Sequence, residues 1–288
     1  MKQITHYKKK IKLQIKNKLS HLSQINILEE VFLDLKKSYK KLNIEDGKGI
    51  SYTIQRIQIR VLTDALTETN EAIILLLKSN LFNASDPLAR VALEHSINLI
   101  YILNGDSNER SKELLKNYID TTLISSKQWH NFAKNNGNEN AINISKQKVD
   151  YLLDLKEGYS NLYDGTCKDW PKTYKRFIEC GHESAYRTLF SMNSDSIHSL
   201  SEDVYNFSTI STYPKGVQSL IHEYFHASNA SLSVYHGIHS IHYYGLVLLE
   251  ISKKLLNNNE KKDIEIKLEH LIALLEIHEN ETQEQYTQ

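Results

Sequence analysis

An all-α fold, a bundle of long antiparallel helices with extra helices at its N- and C-terminal ends, follows from three features of the sequence. Three prolines and ten glycines among 288 residues leave few helix breakers and few turn formers. Apolar residues recur at three- and four-residue spacing over most of the chain, the period of an amphipathic helix. Hydrophobic residues make up 40% of the chain, enough at this length for a full core, and the stretches between periodic segments are short and polar.

Ile4, Tyr7, Ile11, Ile15, Leu19 and Leu22 recur a turn apart among lysines, predicting a basic amphipathic helix that continues in segments to about Leu42. Gly47 and Gly49 mark the first break, and a helix follows from about Tyr52 to Ser79. Asp86 before Pro87 reads as a helix start, because Asp caps exposed amides and a first-turn proline loses no needed hydrogen bond. That helix runs to about Leu103. Leu114, Leu115, Tyr118, Thr122 and Trp129 mark the next, to about Ala133, followed by a polar loop at Asn135–Asn143 and a short helix near Ile144–Lys156. The stretch from Gly158 to His182 is the least regular. A helix is expected over Ser184–His198, the longest one from about Lys215 to Leu256, and a last one in which Ile264, Leu268, Leu271 and Leu275 form a stripe too short for an autonomous coiled coil. These breaks divide the chain into a basic segment, 1–46, a helical core, 51–256, and an acidic helix and tail, 260–288.

Charge is balanced overall, with 35 basic and 35 acidic residues, so the whole chain is not a polycation built for nucleic acid or membranes. Its distribution is uneven. The first 41 residues hold about eleven lysines against three acids, and from Glu260 onward acids outnumber bases by about eight to three. Cys167 and Cys180 are too few for a disulfide framework or a cysteine zinc site, which fits a reducing cytoplasm. No apolar run reaches membrane-spanning length.

Two segments place ionisable side chains in apolar helical sequence, where an unpaired charge would cost several kcal/mol. In the first, Arg90 and Glu94 are four apart and can pair on one helix face with Ile97 and Tyr101 beyond them. They read either as a functional site or as an internal ion pair that fixes helix register. His95 follows Arg90 by five positions, about 140° around a helix, so the two reach one phosphate only if the helix bends or dimerises around the site. In the second, Arg187, Ser191, Ser194 and His198 fall on one stripe. Ser194 and His198 can hydrogen-bond, and histidine suits proton transfer near neutral pH. No nucleophile elbow or glycine-rich oxyanion segment accompanies the pair.

His222-Glu223-Tyr224-Phe225-His226 is a literal HExxH, in which two histidines one turn apart hold zinc and the glutamate activates water. The next imidazole downstream, His236, lies about 15 Å along the axis of a continuous helix. His236, His239 and His242 spread over about 120° and do not form one chelating face. A zinc-dependent hydrolase at His222, Glu223 and His226 is therefore an alternative to a protein without cofactor, and interfacial histidines on a long helix are the plainer reading.

Taken together, Arg90, Glu94, Trp170, Tyr186, Ser194 and His198 resemble the pattern of a widespread bacterial helical family of unassigned function: an Arg-x-x-x-Glu helix, a tryptophan, then a tyrosine followed by Ser-x-x-x-His. The likeness covers roughly residues 70–207. That family is similar to the HEPN group, many of whose members are metal-independent ribonucleases, or inactive relatives, in toxin–antitoxin and phage-defence systems. The resemblance implies a dimer, RNA as substrate, a partner protein or antitoxin, and no cofactor. It also implies roles. Arg90 stabilises phosphorane charge, His198 or His95 transfers the proton, and Glu94 orients one of them beside Tyr186 and Ser194. Where HEPN nucleases carry a polar residue after the arginine, this chain has Val91. A non-enzymatic sensor or interaction subunit using the same cluster as scaffold is the other reading.

Overall fold

The computed structural model describes residues 2–46, 49–105, 108–191 and 201–283, and among them there is no strand. The helices are α1 (Lys2–Ser20), α2 (Gln24–Lys41), α3 (Thr53–Lys78), α4 (Phe82–Leu103), α5 (Glu109–Asn135), α6 (Glu139–Gly158), α7 (Thr173–Glu179), α8 (Ser201–Thr209), α9 (Gln218–Lys254) and α10 (Asn258–Gln283). None of the described helices is long and apolar enough to cross a membrane. The chain forms two compact units, one of residues 1–104 and 176–288 and one of residues 105–175. The predicted end segments, 1–46 and 260–288, thus pack into the same unit as much of the predicted core, while 105–175 forms a unit of its own.

In the larger unit α9 is the axis, packed against α4, α10, α1, α2 and α3. Close approach is possible because Gly237 and Gly245 present no side chain. A Cβ at Gly237 would stand 2.8 Å from Leu77, and one at Gly245 would stand 2.7 Å from Leu268. Around these contacts Leu28, Leu35, Ile73, Leu77, Val234 and Leu271 are fully buried. α10 turns its stripe onto this body, with Ile264, Leu268 and Leu271 buried and Leu274 in the place expected of Leu275.

The helix ends explain where sequence and structure differ. α3 stops because Asn80 adopts φ 58°, so that Leu81 N–H bonds the Leu76 carbonyl (2.9 Å) and Asn80 N–H that of Leu77 (3.1 Å). This compact stop lets α4 begin at Phe82, earlier than the predicted Asp86–Pro87 start. Pro87 lies inside the helix, and Asp86 caps nothing but faces His236 Nδ1 at 3.3 Å. α9 ends the same way at Leu256, φ 54°, with Asn257 N–H bonded to the Ser252 carbonyl.

The smaller unit is an α5–α6 hairpin. Gly137 (φ 65°) ends α5, and Asn138 Oδ1 accepts from Ala141 N–H at 3.1 Å to start α6. Most of the predicted loop 135–143 is therefore helical. Ile119, Leu123, Ser126 and Ala133 form the buried stripe of α5, whereas Tyr118 and Trp129, predicted apolar markers of this helix, are exposed. The buried face is one residue out of phase with the sequence reading. Lys156 and Tyr163 both bond Asp120, and Lys116 pairs with Asp169, tying the irregular stretch to the hairpin.

Candidate functional site

Helical periodicity turns Ala89, Ala92, Leu93, Ser96 and Ile97 of α4 into the core and leaves Arg90 and Glu94 at its border. The segment that meets this border begins at Phe177, which is fully buried and anchors α7. Gly181, at φ 78°, turns the chain into a helical turn, Glu183–Ala185, that widens into a π-turn over Tyr186–Phe190. There Ser191 N–H reaches the Tyr186 carbonyl at 2.8 Å. Such π-turns are frequent at functional sites, and this one stacks Phe190 on Tyr186 with ring centroids 5.4 Å apart. Phe177 packs against both rings at the same distance.

Arg90 joins this aromatic cluster. Its guanidinium carbon lies 4.2 Å from the Phe190 ring centroid, a cation–π contact. Among the described residues no carboxylate pairs with it, and its Nε has no hydrogen-bond partner. The predicted Arg90–Glu94 pair is replaced by another: Glu94 accepts from Arg176 at 3.3 Å. Arg176 is almost wholly enclosed. Burial pulls its pKa down from the usual arginine value, and Glu94 opposes that pull. Tyr186 stacks on the same Phe190 ring that Arg90 lies over. Arg187 is exposed and bonds Glu183 at 2.6 Å, a local pair. Trp170 belongs to the 105–175 unit, and Ser194 and His198 lie outside the described residues.

His95, on the next face of α4, is half-buried. Desolvation lowers its pKa while Glu94 works in the opposite direction, and its Nδ1 has no hydrogen-bond partner among the described residues. Facing α4 from α9 is a row of imidazoles. His236 bonds Asp86, and Tyr243 and His182 share a 3.2 Å hydrogen bond. Burial depresses His239 to about 3 and His242 to about 4, with smaller contributions from neighbouring histidines, so both are neutral at ordinary pH. His236 and His239 border a cavity of about 10 Å³ between α4 and α9, room for a single water at most. The described residues hold no group of three His, Cys, Asp or Glu side chains able to bind a metal.

Two further histidine clusters lie on α9. Ser231 Oγ sits 2.5 Å from His21 Nδ1 and 3.4 Å from His278 Nε2, His278 Nδ1 bonds Gln24 Oε1, and the two rings stack at 3.8 Å. This buried network joins the chain's two terminal regions to its axis. The HExxH histidines are exposed, and their Nε2 atoms stand 3.3 Å apart.

The residues that sequence reasoning missed are Arg176, Phe177 and Phe190. Arg176 follows an irregular, polar stretch that carries no periodicity, and its partner is 82 positions away. A phenylalanine in an apolar helix has the same signal whether it fills core or carries a cation.

No curated protein and no solved structure matches the chain. The model of a family of unknown function, DUF5677, matches residues 59–213, a stretch that holds Arg90, Glu94, Arg176, Tyr186 and Phe190 and leaves out α9. Because that match spans more than half of the 288 residues, the chain belongs to the DUF5677 family.

Proposed function

We propose that this protein is a HEPN-like, metal-independent endoribonuclease of a bacterial defence or toxin–antitoxin system, acting as a cytoplasmic homodimer. One observation carries the reading: the Arg90 guanidinium carbon lies over the Phe190 ring at 4.2 Å, with no carboxylate among the described residues paired to it. A guanidinium over an aromatic ring and without a carboxylate partner is a planar donor fork suited to phosphate. In the proposed reaction the RNA 2′-hydroxyl attacks its own phosphate. His198 or His95 takes the 2′-proton, the 5′-oxygen leaves and is protonated, and a 2′,3′-cyclic phosphate remains. Arg90 stabilises the charge that grows on the phosphorane oxygens. Glu94 acts at one remove by pairing with the buried Arg176, the residue before Phe177 of the aromatic cluster. Cleavage of single-stranded RNA in EDTA, lost in Arg90→Ala and in His198→Ala, is the expected result. Full cleavage by both variants would remove the assignment.

A second reading, a non-enzymatic interaction subunit, is favoured by the outer face of α5. Tyr118, Trp129 and Phe132 fall within about 60° of one another around that helix and are 50%, 39% and 67% exposed. An apolar row of this kind suits a partner protein. Loss of partner capture in Phe132→Glu, with an unchanged melting midpoint, is its expected signature.

A further inference from the structure

We propose that His222 and His226 form a chelating site for one divalent transition-metal ion on the exposed face of α9. Their Nε2 atoms stand 3.3 Å apart. An ion about 2.05 Å from each, the usual zinc–imidazole distance, would subtend an N–metal–N angle of about 107°, which is tetrahedral. The separation of the two donor atoms already matches that of a chelating pair.

Two things hold them in that pose. One helical turn separates the residues, so their Cβ atoms are already aligned. The Phe207 ring from α8 then packs against both imidazoles, each 5.2 Å away between centroids. The pose is therefore braced from outside the helix that carries the two ligands.

Donor chemistry sets the class of ion. Two neutral imidazoles select zinc, cobalt, nickel or copper(II) and not magnesium or calcium, which take oxygen ligands. The described residues supply no third His, Cys, Asp or Glu to the group, so the ion keeps coordination positions open to water or to an incoming ligand. Glu223 lies about 100° from His222 and about 60° from His226 around the helix. With His226 it lines a groove of about 360 Å³ whose floor includes Ile15, Leu19 and Phe82. Both ligands lie outside the 59–213 family match, and the site shares no residue with the Arg90 cluster, so it stands or falls independently of the nuclease reading.

Calorimetric titration of EDTA-stripped, dialysed full-length protein with zinc chloride tests the proposal, alongside cobalt(II) visible spectroscopy and thermal melts. The expected result is one zinc per chain, lost in both His222→Ala and His226→Ala, with tetrahedral cobalt bands in the parent protein only. Zinc should raise the melting midpoint of the parent and not of the variants, whose metal-free midpoints match the parent's. No saturable zinc binding would overturn the proposal. So would one-to-one binding that survives in both variants, since the chain has 13 histidines and the ion would then sit on others.

Discussion

At the scale of single residues, the site rests on two arginines in opposite circumstances. Arg176 is buried and answered by Glu94, whereas Arg90 is partly exposed and answered by an aromatic face. Glu94→Gln should therefore lower stability by about 1.5–3 kcal/mol in urea unfolding, the usual worth of a hydrogen bond to a charged group. Arg90→Ala should cost no more than about 1 kcal/mol, the worth of an exposed cation–π contact, while removing function. The buried imidazoles set a second prediction. His239 and His278 titrate at about 3 and His242 at about 4 in the folded protein, far below the ordinary histidine value. The unfolded chain takes up these protons first. Stability is thus complete above about pH 6.5 and falls as the pH drops toward 4, by up to about 1.4 kcal/mol per histidine at pH 5.5. His239→Gln should flatten that slope in melts from pH 7 to 5, and an unchanged slope would contradict the assignment of neutral, buried rings.

At the scale of elements, the long helices were legible, while their ends and the short helices α7 and α8 were not. Periodicity locates α3, α9 and α10 within a few residues, because each buries a stripe that only a helix presents. Left-handed stops at Asn80 and Gly137 compress reversals that composition alone reads as longer loops or later starts. α5 shows another limit, since which of two adjacent apolar stripes is buried depends on where α6 lies. Backbone strain yields two tests. Leu256 holds a left-handed conformation and is 82% exposed, so Leu256→Gly should raise stability by about 1 kcal/mol. Gly49, at φ 78°, has space for no side chain, as a Cβ there would lie 1.7 Å from the Lys254 carbonyl oxygen. Gly49→Ala should destabilise by more than about 1 kcal/mol, measured by the same unfolding curves.

At the scale of the whole molecule, the candidate site was partly legible. Arg90, Glu94 and Tyr186 stood out because charged and polar groups in apolar helices need partners. The identity of those partners was hidden, because Arg176 and Phe190 reach α4 only through the tertiary fold. The π-turn also matters here. It takes more than 3.6 residues per turn between Tyr186 and Phe190, whereas Ser194 and His198 of the stripe drawn from Arg187 lie outside the described residues. The proposed assembly is a homodimer, and light scattering coupled to gel filtration should give twice the 33.4 kDa chain mass. A monomer at all concentrations would contradict it. The most direct test of the central claim follows the ends of a labelled single-stranded RNA incubated with full-length protein in EDTA. The expected products end in a 2′,3′-cyclic phosphate and form about 100-fold or more slowly with Arg90→Ala at an unchanged melting midpoint. Absence of those products from the parent protein, or equal rates for parent and variant, would contradict it.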